Sequence, residues 1–112
     1  MELKEVVIQA ILERKGTHVV DYDCRTLTPF VDDMIVATTM NLRQNNAIAR
    51  NIKDKVREAG FQIDIRQEGE SDSKWILIDL QEVVVHLFVQ DERQVYKIDR
   101  LYEDCPKVEY DV

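Results

Sequence analysis

The sequence predicts an α/β (α+β) protein: a single domain built on a mixed β-sheet of about five strands flanked by helices. Segments with helical hydrophobic spacing alternate with short strand-like segments in the order α-β-β-α-β-β-β-α, which is typical of a layered domain. The 112 residues match the commonest single-domain size, and 45% apolar residues with three glycines and two prolines indicate a chain that folds throughout. We expect one domain over residues 1–112, with a core over about 3–102 and a short C-terminal tail at 103–112.

The N-terminal part predicts one helix followed by two short strands. Apolar residues recur there with helical spacing and form one stripe at Leu3, Val6, Val7, Ala10 and Ile11. We expect this helix to end near Lys15, with Gly16 as its left-handed stop. Two adjacent valines indicate a strand over residues 17–22, and a second strand is expected over 34–38.

A long second helix is predicted to begin after Asn41. Asn41 and Gln44 have the spacing of a capping box, in which the Asn side chain accepts from a free backbone N–H and the Gln side chain reaches back. The predicted apolar face consists of Ala47, Ile48, Ile52, Val56 and Ala59. Gly60 is expected to end the helix, which would then cover one side of the sheet.

The next segment predicts three strands. Apolar and polar residues alternate over 61–66, which is typical of a strand with one solvated face, and residues 67–74 are polar and loop-like. Residues 75–80 and 83–89 are strongly apolar and predict a hairpin around Gln81-Glu82.

One more helix is predicted near the C-terminus. Asp91 is expected to cap it, and Pro106 marks where it can no longer continue. Its apolar stripe is predicted at Val95, Ile98, Leu101 and Tyr102.

The hairpin is the most informative part of the sequence for function. With Gln81 and Glu82 in the turn, the expected cross-strand pairs are Trp75 with Phe88, Leu77 with His86, and Asp79 with Val84. Alternation then gives one wholly aliphatic face and one mixed face that carries a Trp, an Asp and a His. This mixed face is either a protein-binding surface with Trp75 as its anchor or a surface covered by a helix, and the pattern favours neither.

Charge and cysteine content limit the classes of partner. The 15 basic and 22 acidic residues give a net charge of −7, which argues against nucleic-acid phosphates as the main ligand and suits a basic protein better. The first residues contain no signal-like apolar run and no segment is long enough to span a membrane, so an intracellular protein is expected. Cys24 and Cys105 are far apart in the chain, and we predict two ordinary reduced thiols.

No motif in the sequence supports a cofactor, metal or catalytic site. Asp21 and Asp23 have the D-x-D spacing that places two carboxylates on one side of a strand end, as metal-dependent phosphoryl transfer requires. No third carboxylate partner is evident from the sequence, so a solvated strand end is the preferred interpretation. Walker, dinucleotide-binding and zinc-protease motifs are absent from the sequence.

Several segments of the chain form a recognisable set. They are residues 74–79 (KWILID), 82–88 (EVVVHLF), Glu92-Arg93, 96–101 (YKIDRL), 32–38 (DDMIVAT), Arg43-Gln44 with 47–49 (AIA), and Glu68-Gly69. Together these segments resemble the ribosome silencing factor family, also called Iojap or RsfS. The sequence departs from the family pattern at Thr39, at Gln81-Glu82 and at Tyr102. The hairpin with the Arg and Tyr that follow it is the most specific part of the resemblance, which extends from the first helix to Tyr102.

The resemblance implies a nucleotidyltransferase-like fold without enzymatic activity and a tendency to form homodimers. It also implies a cytoplasmic repressor of translation that docks on a protein of the large ribosomal subunit and hinders joining of the small subunit when nutrients are scarce. We expect neither association with a membrane nor direct, sequence-specific binding to a nucleic acid. The predicted ribosomal-protein-binding residues are Trp75, Asp79, Glu82, His86, Arg93 and Tyr96. The alternative is a metal-dependent, nucleotidyltransferase-like enzyme that uses Asp21 and Asp23.

Overall fold

The computed structural model describes residues 1–110, which form a six-stranded mixed sheet with helices on both faces. The elements in chain order are α1 (Leu3–Glu13), β1 (Thr17–Asp23), β2 (Asp33–Thr39), α2 (Leu42–Glu58), β3 (Arg66–Glu68), β4 (Trp75–Asp79), β5 (Val83–Val89), α3 (Glu92–Tyr96), α4 (Ile98–Leu101) and β6 (Lys107–Tyr110). The strand order is β3-β4-β5-β2-β1-β6, in which β2 and β5 run parallel and all other neighbours antiparallel. The predicted fold class is confirmed.

Helices α1 and α2 cover one face of the sheet and form the larger core with it. The amphipathic spacing of both helices places their valines and isoleucines against the aliphatic side of β2, β4 and β5, where they are buried. The two helices also touch each other, since the Asn51 side chain donates from Nδ2 to the Ala10 carbonyl at 2.9 Å. Asn51 and Asn45 are buried in α2, whereas Ala59, which we predicted on its apolar face, is exposed.

The end of α1 differs from the prediction. Lys15, with φ 67°, takes the left-handed conformation that we assigned to Gly16, so that assignment was wrong. Gly16 is required for another reason, because a Cβ atom there would lie 2.5 Å from Cγ2 of Ile11. Close packing of the chain against α1, rather than a positive φ, explains the glycine.

The predicted cap of α2 is confirmed. The Asn41 side chain accepts from the Gln44 backbone N–H at 2.8 Å, and Gln44 Oε1 accepts from the Met40 N–H at 2.6 Å. Gln44 Nε2 also donates to the carbonyls of Arg14 and Lys15, each at 3.0 Å. One side chain therefore satisfies backbone groups at the start of α2 and at the end of α1. Gly60, with φ 92°, ends α2 as predicted.

The hairpin of β4 and β5 has the predicted register. Trp75 pairs with Phe88, Leu77 with His86, and Asp79 with Val84. Gln81 adopts a positive φ of 75°, and the Asp79 carboxylate accepts its N–H at 2.8 Å. This side-chain contact stabilises a turn for which Gln-Glu is a poor sequence.

Three local predictions were wrong. Residues 61–65 have the predicted alternating burial but lie outside the hydrogen-bonded ladder, and the paired strand β3 begins only at Arg66. The last helix is broken at Lys97, whose φ of 52° separates α3 from α4; Asp91 makes no side-chain cap, and Val95 and Leu101 are exposed. The segment that we assigned to a C-terminal tail contains β6, a sixth strand paired with β1.

Candidate functional site

The mixed face of the hairpin continues from β4 and β5 across β2 and β1 and is only partly covered. On the β1, β2 and β5 side it packs under α4, with Ile98 buried against Tyr22, Met34, Val36 and Phe88 among others. On the β4 side, Trp75, Leu77 and Asp79 remain half-buried, and α3 reaches only the end of this strand. A helical segment therefore covers one half of the mixed face, as one of the two interpretations from sequence expects, and leaves β4 accessible.

Trp75 lies at the centre of an aromatic cluster at the border of the covered half. Its ring centroid is 5.1 Å from that of Phe88, 5.7 Å from that of His86 and 4.5 Å from that of Tyr96. These separations are within the range of favourable aromatic contacts. The Tyr96 side of the cluster faces solvent, with 51% of that residue exposed.

His86 is held in one protonation state by this cluster. The Trp75 indole Nε1–H donates to His86 Nδ1 at 2.9 Å, so that ring nitrogen must be unprotonated. Burial lowers the pKa of His86 to about 4, which keeps the ring neutral near pH 7. His86 is therefore a buried acceptor for Trp75 in this structure.

Arg93 attaches α3 to the sheet and to α4. Its guanidinium bonds both oxygens of Asp99, at 2.7 and 2.9 Å, and Nη1 donates to the His18 carbonyl at 2.6 Å and to Thr38 Oγ1 at 3.2 Å. Only 12% of its side chain is exposed. Burial alone would raise the pKa of Asp99, but hydrogen bonds from Arg93 and Tyr22 lower it overall. The network fixes the helix that carries Tyr96.

Asp79 and Glu82 lie at the opposite end of the hairpin. Asp79 follows Trp75 by four residues on one strand, which corresponds to about 13 Å. Glu82 is exposed in the turn, and its backbone carbonyl accepts from the N–H of Asp32 at 2.8 Å. A cavity of about 290 Å³ beside Asp79 is lined by Phe30, Val31 and Arg66, among other residues.

The structure thus brings three of the six predicted site residues into one cluster: Trp75, His86 and Tyr96. Asp79 and Glu82 lie at the turn, and Arg93 lies on the β1 side of α3. The predicted site residues did not include Phe88 of the aromatic cluster or Asp99, which is bonded to Arg93. The predicted pairing of Phe88 with Trp75 could have indicated Phe88. Nothing in the sequence indicates the bond between Arg93 and Asp99 across the break at Lys97.

Asp21 and Asp23 lie on the face of the sheet that α1 and α2 cover. Asp33 of the neighbouring strand β2 lies on the same face. We had found no third carboxylate from sequence, and the pairing of Asp23 with Asp33 across β1 and β2 supplies it. Lys4 of α1 places its Nζ 3.7 Å from Asp33 and 4.0 Å from Asp21, and Asp23 is bonded to Arg25 at 2.6 Å. Two basic side chains of the same chain, Lys4 and Arg25, therefore balance part of the negative charge of these three carboxylates. Within residues 1–110, no group of three or more His, Cys, Asp or Glu side chains could hold a metal ion.

Asp21 is 5% exposed, and its Oδ1 atom has no hydrogen-bond partner among residues 1–110. Burial, together with a hydrogen bond to Asp33 and repulsion from it, raises the pKa of Asp21 to about 7. The folded protein therefore binds a proton on this pair that the unfolded chain has released above about pH 4. As the pH rises from about 4 to about 7, Asp21 is ionised in the unfolded chain but still protonated in the folded one, so the fold becomes less stable.

We expect Asp21→Asn to stabilise the protein by about 1–2 kcal/mol at pH 8, because the neutral amide replaces a buried carboxylate next to Asp33. The difference in melting temperature between variant and parent should grow as the pH rises from about 4 to about 7 and then level off, and taking this difference cancels the titration of His86. The matched control is Asp23→Asn, a partly exposed carboxylate on the same strand, which should keep the pH dependence of the parent. An Asp21→Asn protein with the parent's pH dependence would contradict this account.

Known proteins similar to this chain share one description. A family model described as "Ribosomal silencing factor during starvation" matches residues 1–112. A protein of Halalkalibacterium halodurans named ribosomal silencing factor RsfS is 34% identical over 108 residues, which are 96% of this chain and 92% of that protein. A protein of the same name from Haemophilus influenzae is 32% identical over 102 residues, covering 91% of this chain and 99% of that protein.

Solved structures agree with the fold. A crystal structure of a protein from Chromobacterium violaceum superposes with a TM-score of 0.82 at 36% identity, covering 92% of this chain and 88% of that one. A second crystal structure, from Bacillus halodurans, also gives 0.82, at 33% identity over 96% of this chain and 97% of that one. Among residues 1–110, no helix is both long enough and apolar enough to cross a membrane.

Proposed function

Because this chain belongs to the RsfS family of ribosomal silencing factors, we propose that it binds the large ribosomal subunit and blocks joining of the small subunit. In this proposal it contacts a ribosomal protein at the intersubunit face and represses translation in the cytoplasm under nutrient limitation. The observation that carries the proposal is the match of the family model over residues 1–112. The description of that family refers to starvation, which fits the proposed condition.

We assign the contact to the open part of the mixed face, here called the docking face. It consists of Trp75, Leu77 and Asp79 on β4, Tyr96 on α3, and Glu82 in the turn. An aromatic centre with charged residues at its edge is the usual composition of a protein interface. The two carboxylates and the net charge of −7 favour a basic partner. The opposite charges would speed the association of this partner and orient it, and they would raise the affinity less.

His86 and Arg93 serve this face as positioning residues in the proposal. Both are largely buried and their polar atoms are bonded within the chain, which leaves them little capacity for a direct contact. His86 orients the Trp75 indole, and Arg93 fixes the helix that presents Tyr96. Their substitution would therefore weaken binding by moving the docking face.

The size of the domain supports a steric mechanism. The described residues extend 34 × 33 × 25 Å. Two surfaces that meet in an interface approach to within van der Waals contact, so a body of this width bound between them prevents their approach. No catalytic step is needed for this effect.

We propose that the protein is not an enzyme, in contrast to the alternative in which Asp21 and Asp23 hold a metal for nucleotidyl transfer. Lys4 is paired with Asp21 and Asp33, and Arg25 with Asp23. A catalytic cation at these carboxylates would have to compete with both side chains. The RsfS relatives are named for silencing ribosomes, which is a regulatory role.

The test of this function is sedimentation with separated ribosomal subunits. We expect the protein to co-sediment with isolated large subunits and not with small subunits. The double variant Asp21→Asn with Asp23→Asn should bind large subunits to the same extent as the parent, because these residues lie on the face that α1 and α2 cover and not on the docking face. No sedimentation with large subunits would refute the ribosomal assignment, and metal-dependent nucleotide binding that the double variant lacks would support the enzyme.

A further inference from the structure

The ladder between β1 and β6 brings the two cysteines of the chain together. Its register pairs Val19 with Tyr110 and continues to the pair of Tyr22 with Lys107. One residue further, the Asp23 N–H donates to the Pro106 carbonyl at 2.8 Å, so the strands remain adjacent beyond the last paired residues. The next residues in this register are Cys24 and Cys105. They are therefore opposite each other across two antiparallel segments.

Both side chains point to the same face of the sheet. Tyr22 and Cys24 are two residues apart on one strand and share the smaller core, and Cys105 packs against that core from the other segment. Tyr102 is a further neighbour, since it contacts the same cluster and its ring centroid lies 5.7 Å from that of Tyr22. The two thiols are free in the structure.

The cross-strand geometry suits a disulfide. Residues directly opposite in an antiparallel pair have Cα atoms about 4.5–5.5 Å apart and Cβ atoms about 4.5–5.5 Å apart. Disulfides span Cα separations of about 4.4–6.8 Å and Cβ separations of about 3.5–4.5 Å. The two segments therefore need to move only slightly closer for the disulfide to form. The turn that holds Cys105 lies at the exposed end of the ladder.

We propose that Cys24 and Cys105 form a reversible cross-strand disulfide when the protein meets a peroxide. The overall reaction converts two thiols and one hydrogen peroxide into one disulfide and two waters. The two sulfurs together lose two electrons, which reduce the peroxide, and their two protons leave in the water. This modification site is independent of the proposed docking on the ribosome.

The two thiols have different parts in the reaction. Cys105 is half-buried and reaches solvent, whereas Cys24 is 1% exposed and burial raises its pKa to about 11, with a further contribution from Cys105. Peroxide therefore oxidises Cys105 first to a sulfenic acid and releases water. The Cys24 sulfur then attacks the Cys105 sulfur, which expels the second water and forms the bond.

The bond would fix the C-terminal strand to the body of the domain. Strand β6 is an edge strand whose neighbour in the described residues is β1, and most of its residues are exposed. The disulfide would close a loop from residue 24 to residue 105 that includes most of the sheet. A loop of this length constrains the unfolded chain strongly, so the oxidised protein should melt at a higher temperature than the reduced protein.

The test treats the reduced full chain with a small excess of hydrogen peroxide. We expect the thiols titrated in denaturant to fall from two to none, and non-reducing peptide maps to show a monomer linked between residues 24 and 105. The melting temperature should rise by roughly 5–15 °C, and a dithiol reductant should reverse the rise. Two remaining thiols, a link between two chains, or over-oxidation of Cys105 without a link to Cys24 would each overturn the proposal.

The control is Cys105→Ser, which keeps the buried Cys24 in place. Its melting temperature should be close to that of the reduced parent, and peroxide should not raise it. The peptide map of the parent needs no substitution, so the proposal can be tested even if the variant folds poorly. If peroxide raised the melting temperature of this variant as well, the stabilisation would come from another group and not from the disulfide.

Discussion

Replacing Trp75 by alanine should lower the free energy of unfolding by about 3 kcal/mol, and the melting temperature by roughly 10–15 °C. Two losses add up. The half-buried indole is removed from its contacts with Phe88 and Tyr96, and His86 Nδ1 is left as a buried acceptor without its donor. Thermal melting measures the effect.

Trp75→Phe separates these two losses. A phenyl ring keeps most of the aromatic contact but donates no hydrogen bond to His86, so this variant should lose only about 1–2 kcal/mol. It is also the better variant for a binding assay, because it should remain folded. A Trp75→Ala protein that melts within a few degrees of the parent would contradict the structural role of the indole.

Replacing Tyr96 by alanine should reduce affinity for large subunits roughly thirtyfold or more, which corresponds to about 2 kcal/mol. Tyr96 is 51% exposed and its ring lies tilted against that of Trp75, so its removal deletes an aromatic contact of the docking face at a small cost in stability. Equilibrium binding to purified large subunits measures the loss, and thermal melting checks that the variant is folded.

The matched control is Val108→Ala. Val108 is also an exposed apolar residue, at 53%, but it lies on the opposite edge of the sheet, four strands away from β4 and about 19 Å distant. This variant should bind large subunits like the parent. Equal losses for Tyr96→Ala and Val108→Ala would show that the contact has been assigned to the wrong face.

The sequence predicted the elements whose pattern is dictated by burial against the core. The hairpin register, the cap at Asn41 and the end of α2 at Gly60 follow from alternation, from a side chain that satisfies backbone donors, and from a positive φ. These are local rules that tertiary contacts reinforce. The prediction of a mixed sheet flanked by helices depended on them.

The missed elements depend on contacts between distant residues. Strand β6 has only four residues, and its partner β1 is far away in the sequence. The break at Lys97 positions Asp99 against Arg93, which no spacing pattern indicates. Alternation over residues 61–65 reflects packing of the chain on the core without a ladder, so period two indicated burial but not pairing.

The candidate site shows the same division. The shared face of Trp75, Asp79 and His86 follows from strand alternation. Which part of that face is covered depends on where α3 and α4 pack, and the exposure of Val95 and Leu101 shows that their apolar pattern did not predict it. The third carboxylate, Asp33, became visible only through the pairing of β1 with β2.

The most direct test of the central claim is the joining of ribosomal subunits in a density gradient. Purified large and small subunits are mixed with rising amounts of the protein, and the peak of joined ribosomes is followed at fixed magnesium concentration. We predict that the joined peak falls as the protein saturates the large subunits, while Tyr96→Ala at the same concentration leaves it nearly intact. A joined peak that stays undiminished with the protein bound to every large subunit would contradict the steric mechanism.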